Sequence, residues 1–234
     1  MQQISTSADF SDLPRGLCAA IDACARIVAV RSGRSIVEPG VSSTEVYFVL
    51  SGSFRVTLFS PQGREVIFRD LQSGDIFGEY SAIDGSPRSA TVLALEPSKL
   101  MAISSSDFIE FVHADRSHVE WLLVHLTHQL RNQSKKIFQL SALKARGRLH
   151  CELLRLAELG VREADGIVVE HAPTHSELAA RIGSYRETVS REMSYLTKRS
   201  MLQLRHRTLT ITNLAGIAGE LAGQIDGRTG FGSI

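Results

Sequence analysis

The sequence predicts an α+β chain in three parts: an N-terminal β-roll, a long dimerisation helix and a C-terminal winged helix-turn-helix. Three observations carry that prediction. Short apolar or alternating runs separated by turn formers fill residues 10–110, the pattern of an antiparallel roll or barrel. Residues 117–143 contain no Pro or Gly and set apolar side chains at heptad spacing. Residues 174–192 have the spacing of two short helices joined at a glycine turn. The expected boundaries are 1–116, 117–146 and 147–234.

Strands are expected at 46–50, 54–59, 66–68, 91–95 and 100–103. Between them lie Pro39-Gly40, Ser51-Gly52, Ser60-Pro61-Gln62-Gly63 and Ser73-Gly74-Asp75. Pro61 presets φ for the second position of its turn and Gly63 suits the fourth. No long helical insertion separates these strands, which disfavours a doubly wound sheet. Cys18 and Cys24 are expected to pack in an N-terminal helix. In the long helix, Leu123, Leu126, Leu130, Ile137 and Leu140 alternate between a and d positions, with Gln133 at the intervening d position. Such a helix runs to about 40 Å. So narrow a stripe suits a two-stranded seam between two copies of the chain. Gly147 is expected to mark the helix end or a hinge, with a second helix over 148–159. The tail from Gly216 predicts a weak helix near 217–224 and a mobile end over 227–234.

The near-neutral total of 26 basic and 25 acidic residues hides an asymmetry. Residues 1–140 hold 13 basic and 15 acidic side chains, whereas 141–210 hold 12 and 8. A basic C-terminal module fits a phosphate-bearing partner. The chain carries neither a secretory start nor an apolar run of bilayer length, and three cysteines do not make a disulfide scaffold. A cytoplasmic protein without membrane contact is expected. Enzyme chemistry is not: the sequence lacks a His-Glu-x-x-His, a Walker loop and a Gly-x-Ser-x-Gly.

The most informative stretch runs from Gly74 to Thr91. Gly78 permits close backbone approach, and free N–H groups at a helix start favour an anion. Arg88 offers a fixed-charge fork to phosphate oxygens, with the Ser89 hydroxyl beside it. Glu79 repels a phosphate, so its natural partner is a hydroxyl such as a ribose 2′-OH. Glu79 and Arg88 could instead form an ordinary ion pair across the turn. Phe77-Gly78-Glu79-Tyr80 and Arg88-Ser89-Ala90 resemble the phosphate-binding cassette of cyclic-nucleotide-binding domains, and Gly33, Gly40, Gly52 and Gly74 fall where such a roll turns. The resemblance implies a nucleotide site at Gly78, Glu79, Tyr80, Arg88, Ser89 and Ala90. Glu79 would hold the ribose, while Arg88 and Ser89 would hold the cyclic phosphate. Tyr80 replaces the usual aliphatic residue.

In the C-terminal module, Thr174 could cap a first helix with Glu177 completing a capping box. Ala179 lets two helices approach, Gly183 permits the turn and Val189 packs the second helix. Arg186, Glu187 and Arg191 lie near the start of that helix, and Ser190 shares a face with Arg186. Such N-terminal residues reach base edges, Arg pairing with guanine and Glu with cytosine. Residues 202–211, with Arg205-His206-Arg207 at the turn, predict a wing touching phosphates.

Arg186-Glu187-Thr188-Val189 followed by Arg191 resembles the recognition helix of the CRP/FNR superfamily of bacterial regulators, closest to its cyclic-AMP receptor branch. Cassette, dimer helix and recognition helix follow in the same order. The resemblance implies a homodimer on double-stranded DNA with palindromic TGTGA-like half-sites, and a contact to RNA polymerase. It also implies that the long helix caps the nucleotide base at Gln133 and Ser134, where Thr and Ser are typical. The residues themselves leave a second reading of Gln133 open, that of a buried polar residue fixing helix register. Gln in place of Thr leaves cyclic GMP beside cyclic AMP as effector, and effector-independent regulation is a further alternative. A ligand-binding module without DNA recognition is a different class, against which the helix-turn-helix argues.

No metal, haem or iron–sulfur cofactor is expected. A cluster needs about four cysteines, and Cys18, Cys24 and Cys151 are too few. His113, His118, His125 and His128 are expected to cluster in the long helix without a supporting ligand set, and to be solvated or helix-capping.

Overall fold

A computed structural model describes residues 25–226. The expected N-terminal helix with Cys18 and Cys24, and the end over 227–234, lie outside the described residues. The chain divides into two compact units between Arg131 and Asn132.

The N-terminal unit is the expected roll. Its strands are β1 (Arg26–Val30), β2 (Ser35–Val37), β3 (Val46–Ser51), β4 (Phe54–Phe59), β5 (Glu65–Leu71), β6 (Ile76–Phe77), β7 (Thr91–Ala94) and β8 (Ser98–Ile103). They form two antiparallel sheets, β1-β8-β3-β6 and β2-β7-β4-β5. Tyr47, Val49, Leu100 and Ala102 of the first sheet pack with Phe54, Leu71, Val92 and Ala94 of the second. The opposite face of the first sheet, through Val46, Phe48, Leu50 and Met101, packs on Phe108, Phe111 and Leu122 from helices. Covered on both faces, β3 reads as a continuous apolar run instead of an alternation. Gly33, Gly40, Gly52 and Gly74 all take positive φ, as their turn positions predict.

Helix α1 (Glu79–Asp84) lies between β6 and β7, and α2 (Ser105–Ala114) follows β8. The Ser104 hydroxyl caps α2 by accepting from the Asp107 amide. His113 lies in α2, outside the long helix α3 (Arg116–Ala142). His118 fastens α3 to α2: its Nδ1 is 2.8 Å from the Phe111 carbonyl oxygen, and the two rings stack. His118 is therefore buried instead of solvated, and it caps the last turn of α2, the other role expected of it.

The helix break comes earlier than Gly147. Lys144 is extended, and α4 (Ala145–Glu158) begins immediately after it. Gly147 is buried inside α4, where packing explains it: a Cβ there would stand 3.0 Å from Gln224 Oε1 and 3.4 Å from Leu143 Cβ.

The remaining elements are β9 (Val161–Glu163), β10 (Gly166–Val169), α5 (His175–Ile182), α6 (Arg186–Lys198), β11 (Leu202–Arg205), β12 (Thr208–Ile211) and α7 (Leu214–Asp226). Their sheet is ordered β11-β12-β10-β9. Leu149, Leu153, Leu178, Val189, Leu196, Leu202 and Ile217 share one core. Thr174 and Glu177 make the complete capping box. Gly183 ends α5 at φ 62, a left-handed conformation costly for any residue with a Cβ. The wing turns at His206, whose φ is 55.

Candidate functional site

The cassette runs from β6 of the first sheet to β7 of the second. β6 ends at Phe77, Gly78 turns the chain at φ 91, and Glu79 opens α1. Glu79 and Arg88 are both buried, at 2% and 4% exposure, so each side chain must be satisfied from within. The Arg88 backbone is clamped to the 40–41 turn, its N–H bonding the Val41 carbonyl and its own carbonyl accepting from Gly40.

Arg88 donates from Nη1 to the Gly78 carbonyl at 2.9 Å, from Nη2 to the Glu45 carbonyl at 2.6 Å, and from Nε to Ser43 Oγ at 3.0 Å. A guanidinium has five N–H donors, so two remain for oxygens of an anion. Its cationic carbon stands 5.9 Å over the Tyr47 ring. Burial lowers the Arg88 pKa from the ordinary arginine value, with the neighbouring Tyr47, Glu45 and Glu79 opposing. The Tyr47 hydroxyl donates to Glu45 Oε2, and burial followed by that bond pushes Tyr47 up to about 12. Burial alone would raise Glu45, but bonds from Arg26 and Tyr47 outweigh it and hold the carboxyl below its usual range.

Glu79 is tied to the long helix. Gln129 Nε2 donates to Glu79 Oε1 at 3.0 Å and lies 3.1 Å from His125 Nε2, which stands 3.4 Å from the same oxygen. The described bonds of Glu79 and Arg88 thus run to different partners, not to each other across the turn. His125 corrects the expectation of a solvated histidine, since its side chain is 19% exposed and faces a carboxylate. Ser89 and Tyr80 are exposed and Ala90 is half-buried. Gln133 and Ser134 are exposed on α3, past Gln129.

Ser43, Glu45, Tyr47, His125 and Gln129 escaped the sequence reading. Partners more than forty residues apart leave no periodicity to detect, and a lone polar pair at i, i+4 on α3 was the available signal. Gly78 is packed closely against both Arg88 and Glu45. A Cβ on Gly78 would come within 2.7 Å of both Arg88 Nη1 and the Glu45 carbonyl oxygen. Gly78→Ala is therefore expected to lower stability by about 1–3 kcal/mol, read as the urea midpoint. An unchanged midpoint would show that the turn relaxes freely.

The second candidate surface is α6. Arg186, Glu187 and Arg191 are exposed at or near its N-terminal turn, while Val189, Met193 and Leu196 are buried. The expected residues therefore share an outward face, with Ser190 half-buried at its edge. Ser190 Oγ is 2.9 Å from His175 Nδ1, and the His175 pKa is lowered by burial and by Arg186. Arg205 and Arg207 flank the wing turn, exposed.

Along α3, Leu123, Leu130, Ile137 and Leu140 are 57%, 68%, 63% and 47% exposed, an apolar row left without cover. Leu126 departs from the expected seam and packs partly against the roll's own core. No helix among the described residues is long and apolar enough to cross a membrane.

The chain matches the cyclic nucleotide-binding domain model over residues 27–115 and the Crp-like helix-turn-helix domain model over residues 147–219. It is 30% identical over 183 residues to the cyclic AMP receptor protein of Thermus thermophilus, covering 78% of this chain and 82% of the relative. It is 26% identical over 188 residues to a CRP-like cAMP-activated global transcriptional regulator of Mycobacterium tuberculosis, covering 80% and 84%. Among solved structures, the c-di-GMP responsive regulator CLP of Xanthomonas campestris superimposes with a TM-score of 0.75 at 21% identity, covering 85% of this chain and 99% of that one.

Proposed function

Because this chain belongs to the CRP/FNR family of transcription regulators, we propose that it is a homodimer binding a palindromic TGTGA-like operator in response to cyclic AMP. The observation that supports this best is the pair Glu79 and Arg88, both buried in the loop and helix that follow β6, in a chain whose α6 exposes Arg186, Glu187 and Arg191. A buried cation with donors to spare suits a phosphate, and a buried carboxylate suits a hydroxyl donor.

In this reading Arg88 and the exposed Ser89 hold the cyclic phosphate and Glu79 takes the ribose hydroxyl, with Gly78, Tyr80 and Ala90 shaping the loop. Gln133 and Ser134 contribute to the base. The carboxylate that receives the ribose is the one bonded to Gln129 and beside His125 of α3. A hydroxyl arriving at Glu79 competes for the same lone pairs, so occupancy of the cassette is felt by α3. That competition shifts the regulator between states by no more than the nucleotide's differential affinity for them. The row Leu123, Leu130, Ile137 and Leu140 forms the seam with a second copy. No metal, haem or iron–sulfur group has a part in this reading, and RNA polymerase is the further partner.

Cyclic AMP is favoured because the T. thermophilus and M. tuberculosis relatives are named for it. A second reading, cyclic GMP, is left open by Gln133, whose amide donates and accepts and so suits either purine. Calorimetric titration with each nucleotide distinguishes them. On the DNA side, Glu187→Ala is expected to relax base preference at one position of each half-site, by about 1–3 kcal/mol. Binding measured against single-base operator variants checks it. A loss of equal size on every sequence would instead assign Glu187 a role outside base reading.

A further inference from the structure

The tail helix α7 carries a set of polar contacts that DNA reading has not used. Ile217 is fully buried in the core of the C-terminal unit, which seats α7 against it. Glu220, on the same helix, accepts from Arg146 Nη2 at 2.6 Å, from Arg199 Nη1 at 2.9 Å and from the Tyr195 hydroxyl at 3.0 Å. Arg146 also donates from Nε to Glu192 Oε1 at 2.9 Å and lies 4.6 Å over the Tyr195 ring. Glu192 is shared with the fully buried His150, whose Nε2 is 2.8 Å away. The Gln224 amide reaches His150 Nδ1 at 3.3 Å. An amide N–H can only donate, so Nδ1 accepts and Nε2–H donates to Glu192. The imidazole is thereby satisfied at both nitrogens.

Each helix contributes one stripe: Arg146 and His150 from the first turns of α4, Glu192 and Tyr195 from α6 with Arg199 at its C-terminal cap, and Glu220 and Gln224 from α7. Glu192 directly follows Arg191 of the reading face. We propose that α7 is a working part of the DNA reader, with Glu220 a positioning residue that fixes the recognition helix α6 against α4. The inference rests on α6 being the DNA-reading helix. A brace of this kind holds base-contacting side chains in register, and it adds nothing to phosphate attraction, which is sequence-independent.

The test compares the full chain with Glu220→Ala and Glu220→Gln. Each is used to select duplexes from a random pool, and affinity is then measured for the duplex selected by the parent and for a scrambled one at fixed salt. Amide hydrogen exchange across 186–198 is followed in parallel. Glu220→Ala is expected to lower the selected-to-scrambled affinity ratio about tenfold and to speed exchange in α6, with scrambled-duplex and cyclic-AMP affinities unchanged. Glu220→Gln, which keeps an acceptor oxygen, is expected to recover part of both. A lowered melting temperature with the ratio and the exchange both unaltered would overturn the proposal and leave α7 a stabilising appendage. Failure of the parent to select any sequence would sink the DNA-reading assignment of α6 separately, and unaltered α6 exchange would still sink the brace.

Discussion

Arg88→Gln is expected to weaken cyclic-nucleotide binding by at least about a hundredfold, the cost of leaving a buried charge without its partner. The side chain is 4% exposed and supplies the one cationic fork in the cassette 77–90. The same substitution carries a structural cost. The Gly78 and Glu45 carbonyls lose charged donors, and each group left unsatisfied costs about 1–3 kcal/mol. Gln can replace one of those donors, which makes it a better probe than Ala. Calorimetry with cyclic AMP, alongside a urea titration, separates the two effects. Affinity near that of the parent in a folded variant would place the phosphate elsewhere.

The paired substitution Leu130→Glu and Ile137→Glu is expected to dissociate the proposed dimer. Both residues are more than 60% exposed on α3, and burying each against a second copy contributes about 1.5–3 kcal/mol per side chain. Two carboxylates per chain would then face their counterparts across a two-fold seam, and like charges there repel. Sedimentation should read 25.7 kDa instead of twice that mass, with operator binding lost in parallel because each half-site would meet a single reader. A variant that keeps the dimer mass would move the seam off this row.

Much of this architecture was legible in the residues. The glycine turns, the breaker-free span of α3, the Thr174–Glu177 capping box and the Gly183 turn are local chemistry, and local chemistry determines them. Strands β1, β2, β6, β9 and β10 were not legible, being short or set at an edge where alternation is weak. Gly147 misled because a glycine in a helix reads as a break, whereas here it admits Gln224. The tail helix proved longer than its glycine content suggests, since Ile217 and Glu220 are held by tertiary contacts that outweigh weak propensity. In the cassette, sequence spacing identified Glu79 and Arg88 but not what holds them. Ser43 and Glu45 reach the site through sheet packing with nothing in their neighbours along the chain to mark them, and Gln129 is marked only by its i, i+4 spacing from His125.

In the proposed mechanism one nucleotide occupies the roll and thereby licenses α6 to read DNA. Its most direct test is fluorescence anisotropy of a labelled duplex bearing two inverted TGTGA half-sites about one DNA turn apart. The full chain is titrated alone, with cyclic AMP and with cyclic GMP, at one salt concentration. Tight binding with cyclic AMP, and weak salt-sensitive binding in the other two, is the result expected. Equal affinity in all three would contradict the coupling of the cassette to DNA reading.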